Sequence, residues 1–161
     1  MRVGLGYDIH PLAPGRPLRL GGVDIPSPIG LLGHSDGDAL LHAVCDALLG
    51  AAALGDIGEH FPDTDPAFEG ADSARLLASV LEKVRAAGFA PVNLDATVVA
   101  HQPRLGPHKA AIRQRLAALL DLGLDRVNVK AKTNNGLDAV GEGRAIAAHA
   151  VVLIENVPET T

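Results

Sequence analysis

The sequence predicts an α/β fold of the α+β type: a two-layer sandwich with helices on one face of a mixed four-stranded sheet and a small hairpin beside it. Three observations support this. Segments with the two-residue period of strands interleave with segments whose apolar residues recur at helical spacing. Helix start and stop signals separate them. The 161 residues contain no internal repeat and no composition break, so we expect one domain over residues 1–161.

The first third of the chain predicts a strand, a hairpin and a helix. In residues 2–10, apolar side chains alternate with glycines and polar groups, as in a strand. Leu18–Leu20 and Val23–Ile25 flank two glycines, the arrangement of a short hairpin. Ser35, with an aspartate three residues later, resembles a capping box. The apolar stripe that follows predicts a helix over residues 35–54.

The later elements follow from the same rules. Asp72 or Ser73 is expected to cap a helix that ends at Gly88, where glycine suits a left-handed backbone. Pro107 is expected to begin a third helix, which ends at Gly123. The remaining predicted elements are strands at residues 92–101, 127–131 and 146–154 and a glycine-rich loop over residues 133–143.

Composition excludes several classes of protein. The formal net charge is −5, aromatic residues make up 2% of the chain and tryptophan is absent, so a nucleic-acid surface with stacking platforms is not expected. The single cysteine excludes an intrachain disulfide and a cysteine-based zinc site. The longest apolar stretch, residues 47–54, is far shorter than the roughly 20 residues of a spanning helix. The N-terminal residues lack the apolar region of a signal peptide. We therefore expect a soluble cytoplasmic protein without a membrane partner.

One layer of helices leaves the other sheet face open. The apolar residues 147–153 can bury that face only against another subunit. We therefore expect an oligomer.

A candidate metal site lies at the end of the first strand. Asp8 and His10 share a strand face, and His42 lies early in the first helix with Asp38 and Asp46 four residues to either side. One of these aspartates is expected to accept the second imidazole N–H. Two histidines and one carboxylate with an open position are typical of catalytic zinc, and equally of a non-haem Fe(II) triad. The alternative is a packed core histidine at position 42.

Other segments carry groups that suit phosphate. His34 and Ser35 precede the first helix, and a helix N-terminus attracts anions. Residues 100–106 and 132–136 each follow a predicted strand, where open α/β sheets place ligands. Capping and ordinary turns remain the alternative readings at these positions.

Four segments together resemble one family. They are GYDIH, HSDGDALLHAVCDALLGAAALGDIGEHFPDTDPAF, residues 103–108 and VNVKAKT. In order and spacing they are similar to the 2-C-methyl-D-erythritol 2,4-cyclodiphosphate synthases of the non-mevalonate isoprenoid pathway. The resemblance spans nearly the whole chain.

The resemblance implies an enzyme of the phosphorus–oxygen lyase class. Such an enzyme converts 4-diphosphocytidyl-2-C-methyl-D-erythritol 2-phosphate to the cyclic diphosphate and releases CMP. The resemblance also implies one Zn²⁺ per subunit, Mg²⁺ or Mn²⁺ with the substrate diphosphate, and a homotrimer that packs sheet to sheet with active sites between subunits.

The resemblance also assigns site residues. The zinc ligands it implies are Asp8, His10 and His42, and the catalytic residues are His34 and Thr133. It implies that Asp8, His10, His34 and Ser35 contact the substrate. The pocket that it implies for the erythritol phosphate consists of Asp56, Ile57, Gly58, Phe61, Pro62, Asp63, Thr64 and Asp65. The pocket that it implies for the cytidine and its phosphates, from the neighbouring subunit, consists of Ala100, His101, Gln102, Pro103, Arg104, Leu105, Gly106, Ala131, Lys132 and Thr133. Asn134 and Asn135 are also expected to contact the substrate.

The chain departs from the family pattern in the C-terminal loop. Asn135 stands where the family commonly has a glutamate that acts on the second divalent ion, and an amide is a weaker ligand for such an ion. Ala139 replaces a common phenylalanine, and Glu142 and Arg144 stand as if two charges had been exchanged. These changes bring into question an isoprenoid diphosphate on the trimer axis, which some members bind.

Two other functions remain possible on the sequence. One is a different metalloenzyme with two histidines and one aspartate, such as an Fe(II) oxygenase or a zinc hydrolase, which needs no cytidine pocket. The other is a nucleotide-binding oligomer without turnover.

Overall fold

The computed structural model describes residues 1–157 and contains a mixed five-stranded sheet and a separate two-stranded hairpin. The strands are β1 Arg2–Pro14, β2 Leu18–Leu20, β3 Val23–Ile25, β4 Ile29–Leu31, β5 Phe89–Val99, β6 Val127–Lys132 and β7 Ala145–Asn156. The helices are α1 Ala39–Ala52, α2 Ile57–His60, α3 Ser73–Ala86, α4 Lys109–Leu120 and α5 Asp138–Gly141. Residues 158–161, included in the domain predicted from sequence, lie outside the described range.

The main sheet has the strand order β4-β1-β7-β5-β6. β5 and β6 pair in parallel and the other neighbours are antiparallel, so the mixed sheet and the β2–β3 hairpin are confirmed. The predicted count of four strands is wrong, because β1 continues to Pro14 and its end pairs with the short β4. A three-residue strand among prolines and glycines has too little alternation to be recognised in the sequence.

Helix α1 is the centre of the core, with twelve of its fourteen residues buried. Its predicted cap was wrong: the helix begins after Asp38, whose carboxylate accepts the backbone N–H of Leu41. The Ser35 hydroxyl instead contacts the ring of His42. Helix α3 begins after Asp72, as predicted.

Two glycines of β1 set the distance between sheet and helix. A Cβ atom on Gly4 or Gly6 would overlap the carbonyl oxygen of Ala47 or Ala43 in α1. Only glycine lets the strand and helix backbones approach so closely. This packing brings the middle of β1, which carries Asp8 and His10, next to the start of α1.

The segment predicted as loop, residues 133–143, contains more structure than expected. Asn134–Gly136 forms a turn in which all three residues have positive φ, and α5 follows. Val140 of α5 packs on Ala147, so part of the sheet face expected to be open is covered within the chain. Four-residue helices leave almost no periodic signal in a sequence.

The rest of that face is exposed, and only its β1–β7 part is mainly apolar, because Asp95 of β5 and Asn128 and Lys130 of β6 lie on the same side of the sheet as Val151. Val3 and Leu5 are each 68% exposed, Tyr7 is 50% exposed, and Val151 on the neighbouring strand is 41% exposed. The alanines of β7 at positions 148 and 150 lie instead under the helices. Within residues 1–157, no helix is long and apolar enough to cross a membrane.

Candidate metal centre and active site

Three potential metal ligands converge where β1 meets α1. Asp8 Oδ2 lies 2.8 Å from His10 Nε2 and 2.9 Å from His42 Nδ1, and the two nitrogens are 3.1 Å apart. Ligands bound about 2.0 Å from a tetrahedral ion stand roughly 3.3 Å from one another. The three atoms therefore need to separate by only a few tenths of an ångström to hold such an ion.

The outer hydrogen bonds of both histidines fit this use. The Leu32 carbonyl oxygen lies 2.8 Å from His10 Nδ1, and a carbonyl only accepts, so we assign the ring proton to Nδ1. On His42, Nε2 donates toward the hydroxyls of Ser73 at 2.9 Å and Ser35 at 3.1 Å. His10 Nε2 and His42 Nδ1 then carry no proton, and the lone pair of each faces the Asp8 carboxylate. This arrangement fits a divalent metal ion.

The charge of the triad also suits a cation. Burial raises the pKa of the Asp8 carboxyl. When no ion is bound and the imidazoles of His10 and His42 are protonated on the nitrogens that face Asp8, their hydrogen bonds and positive charges outweigh burial and hold this pKa far below its usual range. Asp8 is therefore ionised at neutral pH, the state in which a carboxylate binds metal. Burial lowers the pKa of His10, but its hydrogen bond to Asp8 outweighs burial and the net pKa is raised.

The predicted partner of the second His42 nitrogen was wrong. Asp38 is wholly buried and accepts three backbone N–H groups, and Asp46 accepts the N–H of Ile57. Because both carboxylates satisfy backbone donors, the imidazole turns to Ser73 on α3.

A cavity of about 520 Å³ opens over the triad. The predicted residues that line it are Asp8, His10, His34, Ser35, His42, Ile57, Gly58, Phe61, Pro62 and Asp63. Thr64 does not line it, and neither do Asp56 and Asp65, which cap α2 and the turn Pro66–Phe68. His34 is held in the wall by a 3.0 Å contact between its Nε2 and the carbonyl oxygen of Asp65.

Sequence reasoning missed three lining residues, Gly33, Phe68 and Leu76. Phe68 packs edge-on against Phe61 with ring centroids 5.3 Å apart. Two aromatic residues in a loop, in a chain with so few, were a usable signal for Phe68. Leu76 has the pattern of an ordinary core residue on α3, so nothing local marks it.

A second cavity, of about 380 Å³, lies beyond the ends of β5 and β6. The predicted residues that line it are Ala100, Arg104, Leu105, Gly106, Ala131, Lys132 and Thr133. His101, Gln102, Pro103, Asn134 and Asn135 do not line it, and Pro107 and Lys109 were missed. Three basic side chains around one cavity favour an anionic ligand.

The two cavities are separate within the chain. They have no lining residue in common. In the sheet, Asp8 pairs with Ala148, which pairs with Val98, which pairs with Ala131. Three strand spacings, about 14 Å, therefore separate the backbone of Asp8 from that of Ala131.

Comparison with known proteins places the chain in a family. Residues 1–155 match the YgbB family. The chain belongs to the YgbB family. A relative from Bordetella pertussis is 61% identical over 153 residues, which cover 95% of this chain and 94% of the relative. A relative from Burkholderia mallei is 60% identical over 153 residues, which again cover 95% of this chain and 94% of the relative. Both are named 2-C-methyl-D-erythritol 2,4-cyclodiphosphate synthase, which confirms the resemblance noted in the sequence.

Solved structures of similar proteins share the fold. A 2C-methyl-D-erythritol-2,4-cyclodiphosphate synthase bound to CDP has a TM-score of 0.89 and 45% identity, over 96% of this chain and 100% of that one. The Plasmodium falciparum IspF in complex with CDP has a TM-score of 0.85 and 31% identity, over 98% and 97%. The bifunctional IspDF from Campylobacter jejuni has a TM-score of 0.93 and 44% identity, over 97% of this chain and 42% of that longer chain. This YgbB-family chain therefore spans less than half of the bifunctional protein.

Proposed function

We propose that this YgbB-family protein is a lyase that forms 2-C-methyl-D-erythritol 2,4-cyclodiphosphate. Its substrate is 4-diphosphocytidyl-2-C-methyl-D-erythritol 2-phosphate, from which it releases CMP. The observation that carries the proposal is the convergence of Asp8, His10 and His42 in a cavity walled by His34 and Ser35. The names of its close relatives and the CDP-bound neighbour support it. Its cytoplasmic location stays a prediction.

The reaction is an intramolecular phosphoryl transfer. An oxygen of the 2-phosphate attacks the β-phosphorus, a new P–O bond closes the ring, and the P–O bond to CMP breaks with its electrons leaving on the CMP phosphate. Such a reaction depends on positioning and charge neutralisation. A cavity whose hydrogen-bond donors are held in place around the phosphates supplies both the positioning and the charge neutralisation.

The metal we propose is zinc, one per chain, bound by Asp8 Oδ2, His10 Nε2 and His42 Nδ1. A zinc ion there would supply Lewis-acid polarisation of the substrate's phosphate oxygens. Mg²⁺ or Mn²⁺ is proposed to accompany the diphosphate. The chain itself fixes both imidazole tautomers through Leu32 and the serines.

Two side chains are proposed to act directly on the reacting phosphates. His34 and the Thr133 hydroxyl would donate hydrogen bonds to the oxygens on which charge increases. The remaining predicted contacts in the first cavity would hold the erythritol phosphate. Those in the second would hold the cytidine, where Arg104, Lys109 and Lys132 offer positive charge.

We propose that three copies assemble through the apolar β1–β7 part of the open sheet face, so that each active site lies between two chains. Exposed residues of β1 and β7 support this, because Leu5 pairs with Val151 and Val3 with Leu153 to form a continuous apolar strip. The separation of the two cavities supports it too, since neither cavity of one chain contains both groups of residues.

Phosphorus NMR of the purified protein with the diphosphocytidyl substrate, Zn²⁺ and Mg²⁺ tests this function. We expect two mutually coupled resonances of the cyclic diphosphate to grow in equal proportion to one CMP resonance. CMP together with an uncyclised bisphosphate would indicate a metal-dependent hydrolase instead. Saturable CMP binding with no new phosphorus resonance would indicate a nucleotide-binding protein.

Because of Asn135, we expect half-maximal activity to require an unusually high concentration of the second divalent ion. Its neutral amide supplies no charge to a diphosphate-bound Mg²⁺, so Asn135→Glu should lower the Mg²⁺ concentration for half-maximal activity, with zinc content unchanged. Asn135 has φ 51° and ψ 34°, a left-handed conformation that asparagine tolerates better than glutamate. Asn135→Gln is therefore the matched control, since it carries the same backbone strain without the charge. Equal Mg²⁺ requirements in the two variants would mean that the ion is held elsewhere.

A further inference from the structure

The side of His42 that faces away from the other two candidate ligands is bound to a buried polar chain. Its Nε2 lies 2.9 Å from the hydroxyl of Ser73, the first residue of α3. That hydroxyl lies 2.5 Å from Asp36 Oδ1. Ser73 is 1% exposed and does not line the cavity over the triad, so its hydroxyl is placed to contact His42 and Asp36 rather than a ligand.

The direction of these hydrogen bonds is determined by Asp36. An ionised carboxylate only accepts, so the Ser73 hydroxyl must donate to Asp36. The Ser73 oxygen then has its lone pairs free to accept from His42 Nε2, and His42 Nδ1 is left unprotonated. Ser73 thereby selects the tautomer that a metal ligand needs.

Ser35 does not have the same constraint. Its hydroxyl is 3.1 Å from His42 Nε2 and accepts the N–H of Gly37, but among residues 1–157 no carboxylate accepts its own proton. Ser35 also lines the cavity. Its proton is therefore available to a ligand, whereas the proton of Ser73 is committed to Asp36.

Asp36 is itself fixed from two further sides. Its Oδ2 accepts the backbone N–H of Ser73 at 3.1 Å and contacts Arg19 of β2 at 3.4 Å. Arg19 is tied in turn to Asp24 of β3 at 2.8 Å. The hairpin, which contributes nothing to the lining of either cavity, thus reaches His42 through Asp36 and Ser73.

Building on the metal site of the proposed function, we propose that Ser73, anchored by Asp36 and Arg19, is a positioning residue that sets the tautomer and orientation of His42 for metal binding. It acts through His42 and needs no contact with substrate. Its role can therefore be measured as the affinity for zinc, without any turnover of substrate.

The test compares Ser73→Ala with wild type in the metal-free protein titrated with Zn²⁺ against a chromophoric chelator. We expect the dissociation constant to rise about 10- to 100-fold, as for other residues that orient metal-bound histidines. Long-range ¹H–¹⁵N spectra of the zinc-loaded protein should show a slowly exchanging Nε2–H on His42 in wild type and faster exchange in the variant. Ser79→Ala, the same change on the same helix, should bind as wild type does.

The variant Asp36→Asn tests the role of Asp36 as an anchor while the Ser73 hydroxyl stays in place. An amide oxygen can still accept from Ser73, but the ion pair with Arg19 is lost, so zinc binding should weaken in the same direction by a smaller factor. An unchanged constant in Asp36→Asn would overturn the anchoring role of Asp36. Melting temperatures of all variants, measured without metal, separate altered binding from altered folding.

The outcomes distinguish this proposal from the proposed function. If wild type binds zinc and Ser73→Ala binds it within twofold, the positioning role is overturned and the metal site stands. If wild type binds no zinc, the metal site itself is overturned, and the positioning role with it.

Discussion

His42→Ala is expected to lose its bound zinc and at least about a thousandfold of its cyclase activity, because a Lewis-acid metal supplies several kcal/mol of transition-state stabilisation and each 1.36 kcal/mol is tenfold in rate. His42 contributes one of three ligand atoms in a triangle whose sides are 2.8, 2.9 and 3.1 Å. Without it, Asp8 and His10 offer only two. Elemental analysis of the purified variant measures the metal, and phosphorus NMR measures the turnover.

His108→Ala is the matched control for that variant. It removes an imidazole from the residue before α4, which lines neither cavity, and should keep one zinc per chain. A His42→Ala protein that still carries a full equivalent of zinc would show that the metal is held by other residues. The role proposed for Asp8 and His10 as its ligands would then be wrong as well.

Where the pattern of the sequence was regular, the fold was predictable. The alternation in β1 correctly placed Asp8 and His10 on one side of the strand, and the apolar stripe correctly predicted the helix, α1, that carries His42. Both inferences need only the periods of strand and helix. Gly4 and Gly6, on the same side of the strand, allow the close packing that joins the two elements.

What depends on distant residues could not be predicted from local pattern. Ser73 lies 31 positions from His42, and no spacing rule links the start of α3 to a histidine in α1. The capping prediction at Ser35 followed a valid local rule, but Asp38 satisfies three backbone donors at once and Ser35 is drawn to His42. Tertiary hydrogen bonds outweighed the local preference at this site.

The family resemblance added what local pattern could not. It grouped residues 100–106 with residues 131–133 around one ligand, and the structure places most of them around the second cavity. It says less about residues 134–144, where the chain departs from the family pattern. There Asp138 binds the side chain of Asn134 and two backbone N–H groups at the start of α5.

Mixing two inactive variants should restore activity if each site lies between two chains. His42→Ala removes a metal ligand from the first cavity, and Thr133→Ala removes a hydroxyl from the second. In a mixed trimer, a site is intact when the chain giving the first cavity carries Thr133→Ala and its neighbour carries His42→Ala. Equal mixing with free exchange therefore restores about a quarter of wild-type activity per chain, since each condition is met half the time.

The experiment needs proof that subunits exchange, which native mass spectrometry of the mixture supplies when one variant carries a mass tag. The control mixes Thr133→Ala with the double variant His42→Ala/Thr133→Ala. Every site in this mixture lacks the Thr133 hydroxyl, so activity should not exceed that of the Thr133→Ala variant alone. Mixed trimers without recovered activity would mean that each active site is contained in one chain. The cytidine would then have to reach the second cavity from a metal site about 14 Å away within the same sheet.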